Sequence, residues 1–144
     1  MNFKICKYND SEHRQQVIEL WNEVFGYDSP RNAPELVIDK KNAVTDGLFF
    51  VAVDEQKVIG TVMAGYDGHR GWIYSLAVLP MNRGNGIGTA LLTHAEKKLA
   101  GLGCVKINLQ ITEKNKSVQE FYLENGYLTE KRVSMGKLLS ENNK

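Results

Sequence analysis

Trp72-Ile73-Tyr74-Ser75-Leu76-Ala77-Val78-Leu79-Pro80-Met81-Asn82-Arg83-Gly84-Asn85-Gly86-Ile87-Gly88-Thr89-Ala90-Leu91-Leu92 passes from an apolar, β-branched run through a glycine-rich turn into an apolar stripe of helical spacing. The first part reads as a strand closed by Leu79-Pro80. The stripe continues through Ala95, Leu99 and Leu102 and stops at Gly101 and Gly103, which predicts a helix. Amides at a helix start have no partners within the helix, and the helix dipole adds partial positive charge there. Glycines in that place let a phosphate approach several N–H donors at once, and Gly84, Gly86 and Gly88 provide the access. Arg83 adds a forked, charged donor suited to a diphosphate.

Other glycine-rich designs fit less well. A P-loop needs Lys followed by Ser or Thr at its end, whereas Gly88 precedes Thr89. A dinucleotide fingerprint wants a first-position strand and an acid about twenty residues on; here the strand comes fourth and no matching acid ends the next strand. The segment also lacks Asp and Glu, the usual magnesium ligands.

Upstream, Met1 to Tyr8 alternates and predicts a half-buried first strand with Phe3, Ile5 and Tyr8 turned inward. Ser11 is the expected N-cap of a helix carrying Val17, Ile18, Leu20, Trp21, Val24 and Phe25 and stopping at Gly26. Trp21 and Phe25 are expected in the core, and Tyr27 in a loop running to Pro34, before a second helix from Glu35 to about Lys41. Leu48–Val53 and Val58–Ala64 flank a polar turn and read as a hairpin, followed after the turn at 66–71 by the strand at 72–78. Downstream, Val105–Ile111 is a further strand, parallel to 72–78 because a helix separates them. Ser117–Asn125 is a short helix, Tyr127–Leu139 offers one or two edge strands, and residues 140–144 form a polar tail. The expected fold is α/β (α+β): a mixed, mostly antiparallel sheet of six to seven strands flanked by about four helices, in one domain over 1–144 with its core at about 3–138.

Hydrophobic residues make up 42% and charged residues 24% of the 144, and the net charge is +1, so no electrostatic footprint for nucleic acid is present. Cys6 and Cys104 match no metal or redox spacing and read as free thiols of a reducing cytoplasm; His13, His69 and His94 are scattered, so no metal site is expected. No signal peptide or membrane helix is expected.

The segment Arg83 to Gly88 fills the Arg/Gln-x-x-Gly-x-Gly/Ala pattern and is followed by Ala90-Leu91-Leu92, and Asn115 to Tyr127 resembles an Asn…Tyr-x-x-x-Gly-Phe/Tyr motif. In that order these resemble the GNAT superfamily of N-acetyltransferases, strongly over 72–127. The resemblance implies acetyl-CoA as co-substrate. It implies that the backbone of Leu76, Ala77 and Val78 pairs with the pantetheine amides. Amides of Gly84, Asn85, Gly86, Ile87, Gly88 and Thr89, with Arg83, would hold the pyrophosphate. Asn115 would bond the pantetheine arm, the Val78 amide would face the oxyanion, and Tyr122 would protonate the departing thiolate.

The acceptor implied is a primary amine of a small molecule or a peptide, with no nucleic-acid or membrane partner; a homodimer is compatible with the family. The general base is not carried over, because several relatives use a Glu early in the strand where this chain has Trp72, Ile73 and Tyr74. Glu23, Asp67, His69 and Tyr74 are candidates by position only. Two alternatives stand beside an acetyltransferase: a non-catalytic acyl-CoA-binding or sensing module, favoured by the missing Glu, and an enzyme using a longer acyl or an aminoacyl donor.

Overall fold

The computed structural model describes residues 2–27 and 29–140. In chain order these give β1 (Lys4–Lys7), α1 (Asp10–Val24), α2 (Pro34–Val44), β2 (Phe49–Asp54), β3 (Lys57–Tyr66), β4 (Gly71–Val78), α3 (Ile87–Gly101), β5 (Ile107–Asn108) and α4 (Lys116–Glu124), with 3-10 turns at Pro30–Asn32 and Pro80–Asn82. The strands form one mixed sheet in the order β1-β2-β3-β4-β5, antiparallel at the first three pairings and parallel at the last.

Local chemistry sets the boundaries. Asn9, rather than Ser11, caps α1: its Oδ1 accepts from the Glu12 amide at 3.2 Å, while the Ser11 hydroxyl itself donates to that oxygen. Glu55 and Gln56 both adopt positive φ (46° and 73°) and form the two-residue turn between β2 and β3, whose twist matches the flanking strands. Gly60 lies under α3: a Cβ there would meet Leu91 Cδ1 at 2.9 Å and the Ala77 carbonyl at 3.0 Å.

The sheet carries a core on each face. Phe50, Ala52, Val62, Ala64 and Ile73 pack with Ile87, Leu91, Leu92, Ala95 and Leu99 of α3 and with Tyr122 of α4. Phe49, Val51, Val53, Met63 and Ala77 pack with Val17, Ile18, Leu20 and Trp21 of α1 and Ile38 of α2. Covered on both sides, β2 reads as an unbroken apolar run. β1 divides its side chains between the faces: Phe3 and Ile5 pack on the α3 side, but Tyr8 stacks on Phe49 on the α1 side. Trp21 is core as expected, whereas Phe25 is 52% exposed, because α1 ends at Val24 and Phe25 lies beyond its buried stripe.

Among the described residues the expected six or seven strands are five. Alternation at Val105–Ile111 produces only the two paired residues of β5, because β4 and β5 pair no further than Trp72 and Asn108. Residues 128–140 form no strand and are exposed throughout. They are tied to the β5 region by side chains, Asn108 Nδ2 donating to Glu130 at 2.8 Å and Gln110 Nε2 to Ser134 at 2.6 Å, instead of by a backbone ladder. Residues 141–144 of the expected polar tail lie outside the described residues.

Candidate active site

The decisive irregularity is in β4. Its register against β3 slips between Met63↔Tyr74 and Thr61↔Ala77, so that Ser75 and Leu76 together stand opposite Val62. This is a β-bulge, and Ser75 takes φ of 53° in it, an uncommon value for a residue with a Cβ. The bulge re-aims everything after it. Leu79 N–H donates to Ile59 at 2.9 Å, so by antiparallel alternation Val78, one residue earlier, turns both backbone groups away from β3. Its carbonyl bears this out by accepting instead from Arg83 Nε at 3.1 Å. Leu76 shares that orientation by parity. Because β5 pairs only with Gly71 and Trp72, these backbone groups have no strand partner on the β5 side.

This unpaired edge of β4 leads through the Pro80–Asn82 turn to the start of α3. Gly84 and Gly86 have φ of 83° and 78°, conformations that favour glycine, and a Cβ on either would meet nothing within 4 Å. Gly86 is the N-cap and offers no side-chain cap, and the first turn holds no acidic residue, so the amides of Ile87, Gly88 and Thr89 face an electropositive, open surface. The Ile87 side chain is buried, leaving its amide as its contribution. Asn85 holds the loop from within, donating to the carbonyl of Asn82 at 3.0 Å. Gly88 serves a second purpose: a Cβ there would press on the Phe121 ring at 3.3 Å, so the glycine lets α4 lie close.

α4 brings the last two sequence candidates. Asn115 caps it, its Oδ1 accepting from the Val118 amide at 3.3 Å and from the Ser117 hydroxyl, which leaves Nδ2 as the end open to a ligand. Tyr122 is 7% exposed and sits edge-on to both Phe121 and Tyr127. Burial pushes its phenol up to about 12, and among the described residues its hydroxyl has no hydrogen-bond partner, so its proton is not committed within the protein. Tyr127 is committed, donating to Glu96 Oε2 at 2.7 Å; burial and that carboxylate raise its pKa further.

The four candidate bases are separated. Asp67 and His69 occupy the turn before Gly71, seven residues or roughly 20 Å along the strand from Val78. There Asp67 accepts from the Arg70 and His69 amides at 2.8 Å each, bonds that hold its carboxyl below its ordinary value. Glu23 is exposed on α1. Tyr74 lies in β4 itself, and its hydroxyl accepts from Lys41 Nζ at 3.0 Å. Sequence reasoning missed Lys41, a buried ammonium of α2 that also donates to Asp46 Oδ2 at 2.9 Å and to the Ala64 carbonyl. It missed Thr61 too, whose only signal was a single hydroxyl in the otherwise apolar run Val58–Ala64. Among the described residues no cluster of three His, Cys, Asp or Glu is placed to hold a metal, and no helix is long and apolar enough to cross a membrane.

Residues 14–127 match the acetyltransferase (GNAT) family. The chain belongs to that family. GNAT enzymes transfer an acetyl group from acetyl-CoA to an amine, and this is the activity of the protein. Solved structures share the fold. An N-acetyltransferase, PaiA of Thermoplasma acidophilum, in complex with coenzyme A, is 21% identical, covers 92% of this chain and 94% of its own, and superposes with a TM-score of 0.79. Aminoglycoside acetyltransferase AAC(6')-Iy with a CoA bisubstrate analogue is 16% identical over 97% of this chain and 100% of its own, at TM-score 0.77. The NatC complex bound to Gag peptide and CoA gives 23%, 92% and 88%, at TM-score 0.76.

Proposed function

We propose that the unpaired edge of β4 and the α3 N-terminus hold acetyl-CoA, and that the protein acetylates a primary amine on a small molecule or peptide. One observation carries this reading: the backbone of Leu76 and Val78 faces away from β3 and runs directly toward an uncapped, glycine-lined helix start. A strand edge suits the amides of pantetheine, which bind it as an added strand would. The amides of 84–89 take the pyrophosphate, and the terminal nitrogens of Arg83, left over from its bond to Val78, support it. Asn115 Nδ2 serves the pantetheine arm.

In the reaction the amine nitrogen attacks the thioester carbonyl, forming the C–N bond while charge gathers on the carbonyl oxygen. The Val78 amide stabilises that charge. The C–S bond then breaks, the thiolate takes the Tyr122 proton, and the proton that the nitrogen sheds on becoming an amide leaves to water, from which the Tyr122 phenol is restored. An amine of pKa near ~10.4 is neutral in only about one molecule in a few thousand at pH 7, so the nitrogen must reach the thioester deprotonated. Of the four candidate bases, only Tyr74 lies on the strand that carries the oxyanion donor, and its hydroxyl already accepts from Lys41 Nζ and donates to the Ala64 carbonyl.

The acceptor class draws on the GNAT neighbours, one holding an aminoglycoside-derived bisubstrate analogue and another a peptide. The shared sheet with a core on each face supports reading 1–144 as one domain, and the free thiols Cys6 and Cys104 suit a reducing cytoplasm. The test is CoA release from acetyl-CoA across a panel of small amines and peptides, followed by Tyr122→Phe. The substitution should lower kcat by about a hundredfold, with little change in KM for acetyl-CoA. A Tyr122→Phe enzyme of full rate removes the acid role, and no CoA release with any amine removes the catalytic reading.

A further inference from the structure

We infer that Thr61 is a positioning residue: tied to Trp21 on one side and to the Ser75 carbonyl on the other, its hydroxyl holds the β4 bulge that presents Leu76 and Val78 to the cofactor. This rests on the acetyl-CoA reading above and adds to it a residue remote from the ligand.

Thr61 is fully buried, at 0% exposure, between apolar neighbours. A hydroxyl is costly there unless bonded. Both of its capacities are used: it accepts from Trp21 Nε1 at 2.9 Å and donates to the Ser75 carbonyl at 2.8 Å. The second bond meets a need created by the bulge, since the extra residue of a bulge falls out of the ladder and its carbonyl loses its backbone partner. Ser75 is that residue, held at φ 53°, where a side chain is unfavourable unless the surroundings enforce it. The Thr61 bond is such an enforcement, and Trp21, itself buried against Phe49, fixes the rotamer of Thr61.

The consequence follows from parity. If the bulge relaxed into regular pairing, the register beyond Ser75 would slip by one residue, and every later residue would reverse its orientation. Val78 would then turn its amide to β3, and Ala77 would turn its own away from it. Thr61 therefore selects which amides meet the pantetheine arm. Its influence on the glycine loop, which lies beyond the Pro80–Asn82 turn, runs only through Arg83, whose Nε donates to the Val78 carbonyl, while the amides of 84–89 keep their place.

The test exploits that division. Binding of CoA is compared by calorimetry with binding of 3′-phosphoadenosine 5′-diphosphate, which carries the pyrophosphate but no pantetheine. In Thr61→Val the Kd for CoA should rise by about tenfold, the order expected when a buried bonded pair loses its partner, while the fragment's Kd stays within about twofold. Thr61→Ser, which restores the hydroxyl, should bind CoA like the wild type. If Thr61→Val does not fold, Trp21→Phe cuts only the outer bond and should show the same split at smaller size. Equal loss for both ligands, or no loss for CoA, overturns the inference. Wild-type protein that binds no CoA instead removes the acetyl-CoA reading itself, a result obtained before any variant is compared.

Discussion

The Tyr122 phenol is displaced by where its ring is packed. Edge contacts with Phe121 and Tyr127 and closure under α3 desolvate the phenol, which moves from an ordinary value of 10.0 to about 12. At neutral pH a phenol is protonated at either value, so the proposed donor is in its acid form before the thiolate departs. The same shift has a consequence for stability. Below about pH 10 the phenol is protonated in folded and unfolded chains alike. Above it the unfolded chain loses the proton first, so stability falls as pH rises from about 10 through about 12. Tyr8 and Tyr127 are displaced in the same direction, so the informative quantity is a difference. Urea unfolding should show a shallower loss over that window for Tyr122→Phe than for wild type, and parallel curves would mean the phenol is solvated. The sequence motif pointed to Tyr122, Asn115 and the glycines because their roles depend on near neighbours in the chain. It was silent on Thr61, whose partners Trp21 and Ser75 are 40 and 14 residues away.

Among the elements, α2 is joined to the sheet by Ile38 in the core and by one ammonium. Lys41 reaches Asp46 before β2, the Ala64 carbonyl of β3 and the Tyr74 hydroxyl of β4, and it lies 5.4 Å from the Tyr74 ring centroid. Its three N–H groups are matched by three acceptors, so Lys41→Met takes the charged donor from a carboxylate that keeps the Leu48 amide and from a carbonyl that keeps the longer Tyr74 bond. Because Asp46 is partly solvated, the expected loss is about 2 kcal/mol, below the 3–5 kcal/mol typical of fully buried pairs. Urea denaturation measures it, and a midpoint equal to wild type would show that water replaces the ammonium. Helices and the hairpin were legible because period and caps are local properties: α3 ends at Gly101 as its stripe does. The far edge of the sheet was not. Alternation at 105–111 and 127–139 signals strand capacity, but a strand needs a neighbour, and the end of pairing between β4 and β5 withdraws it. A bulge at one serine thus sets the orientation of Leu76 and Val78, while the end of pairing between two strands shortens the sheet.

At the scale of the whole molecule, the proposed site is assembled from β4, α3 and α4, elements whose apolar side chains meet in the core on one face of the sheet. A ligand spanning all three adds a tie absent from the free protein, and binding to the folded state alone stabilises it by mass action. At a hundredfold excess over Kd the gain is about 2.7 kcal/mol. For a chain of 144 residues that corresponds to a rise in melting temperature of roughly 5–10 °C. The net charge of +1 gives the protein little long-range attraction for a polyanion, so the phosphate affinity must come from the local dipole and amides of the α3 start. Such contacts are screened less than a diffuse positive field. Thermal unfolding should therefore show the shift with acetyl-CoA at both about 0.05 and 0.5 M salt, reduced but present at the higher. A shift that vanishes entirely at high salt would point to loose surface binding by lysines, and no shift at either salt would mean that the proposed site does not take the coenzyme.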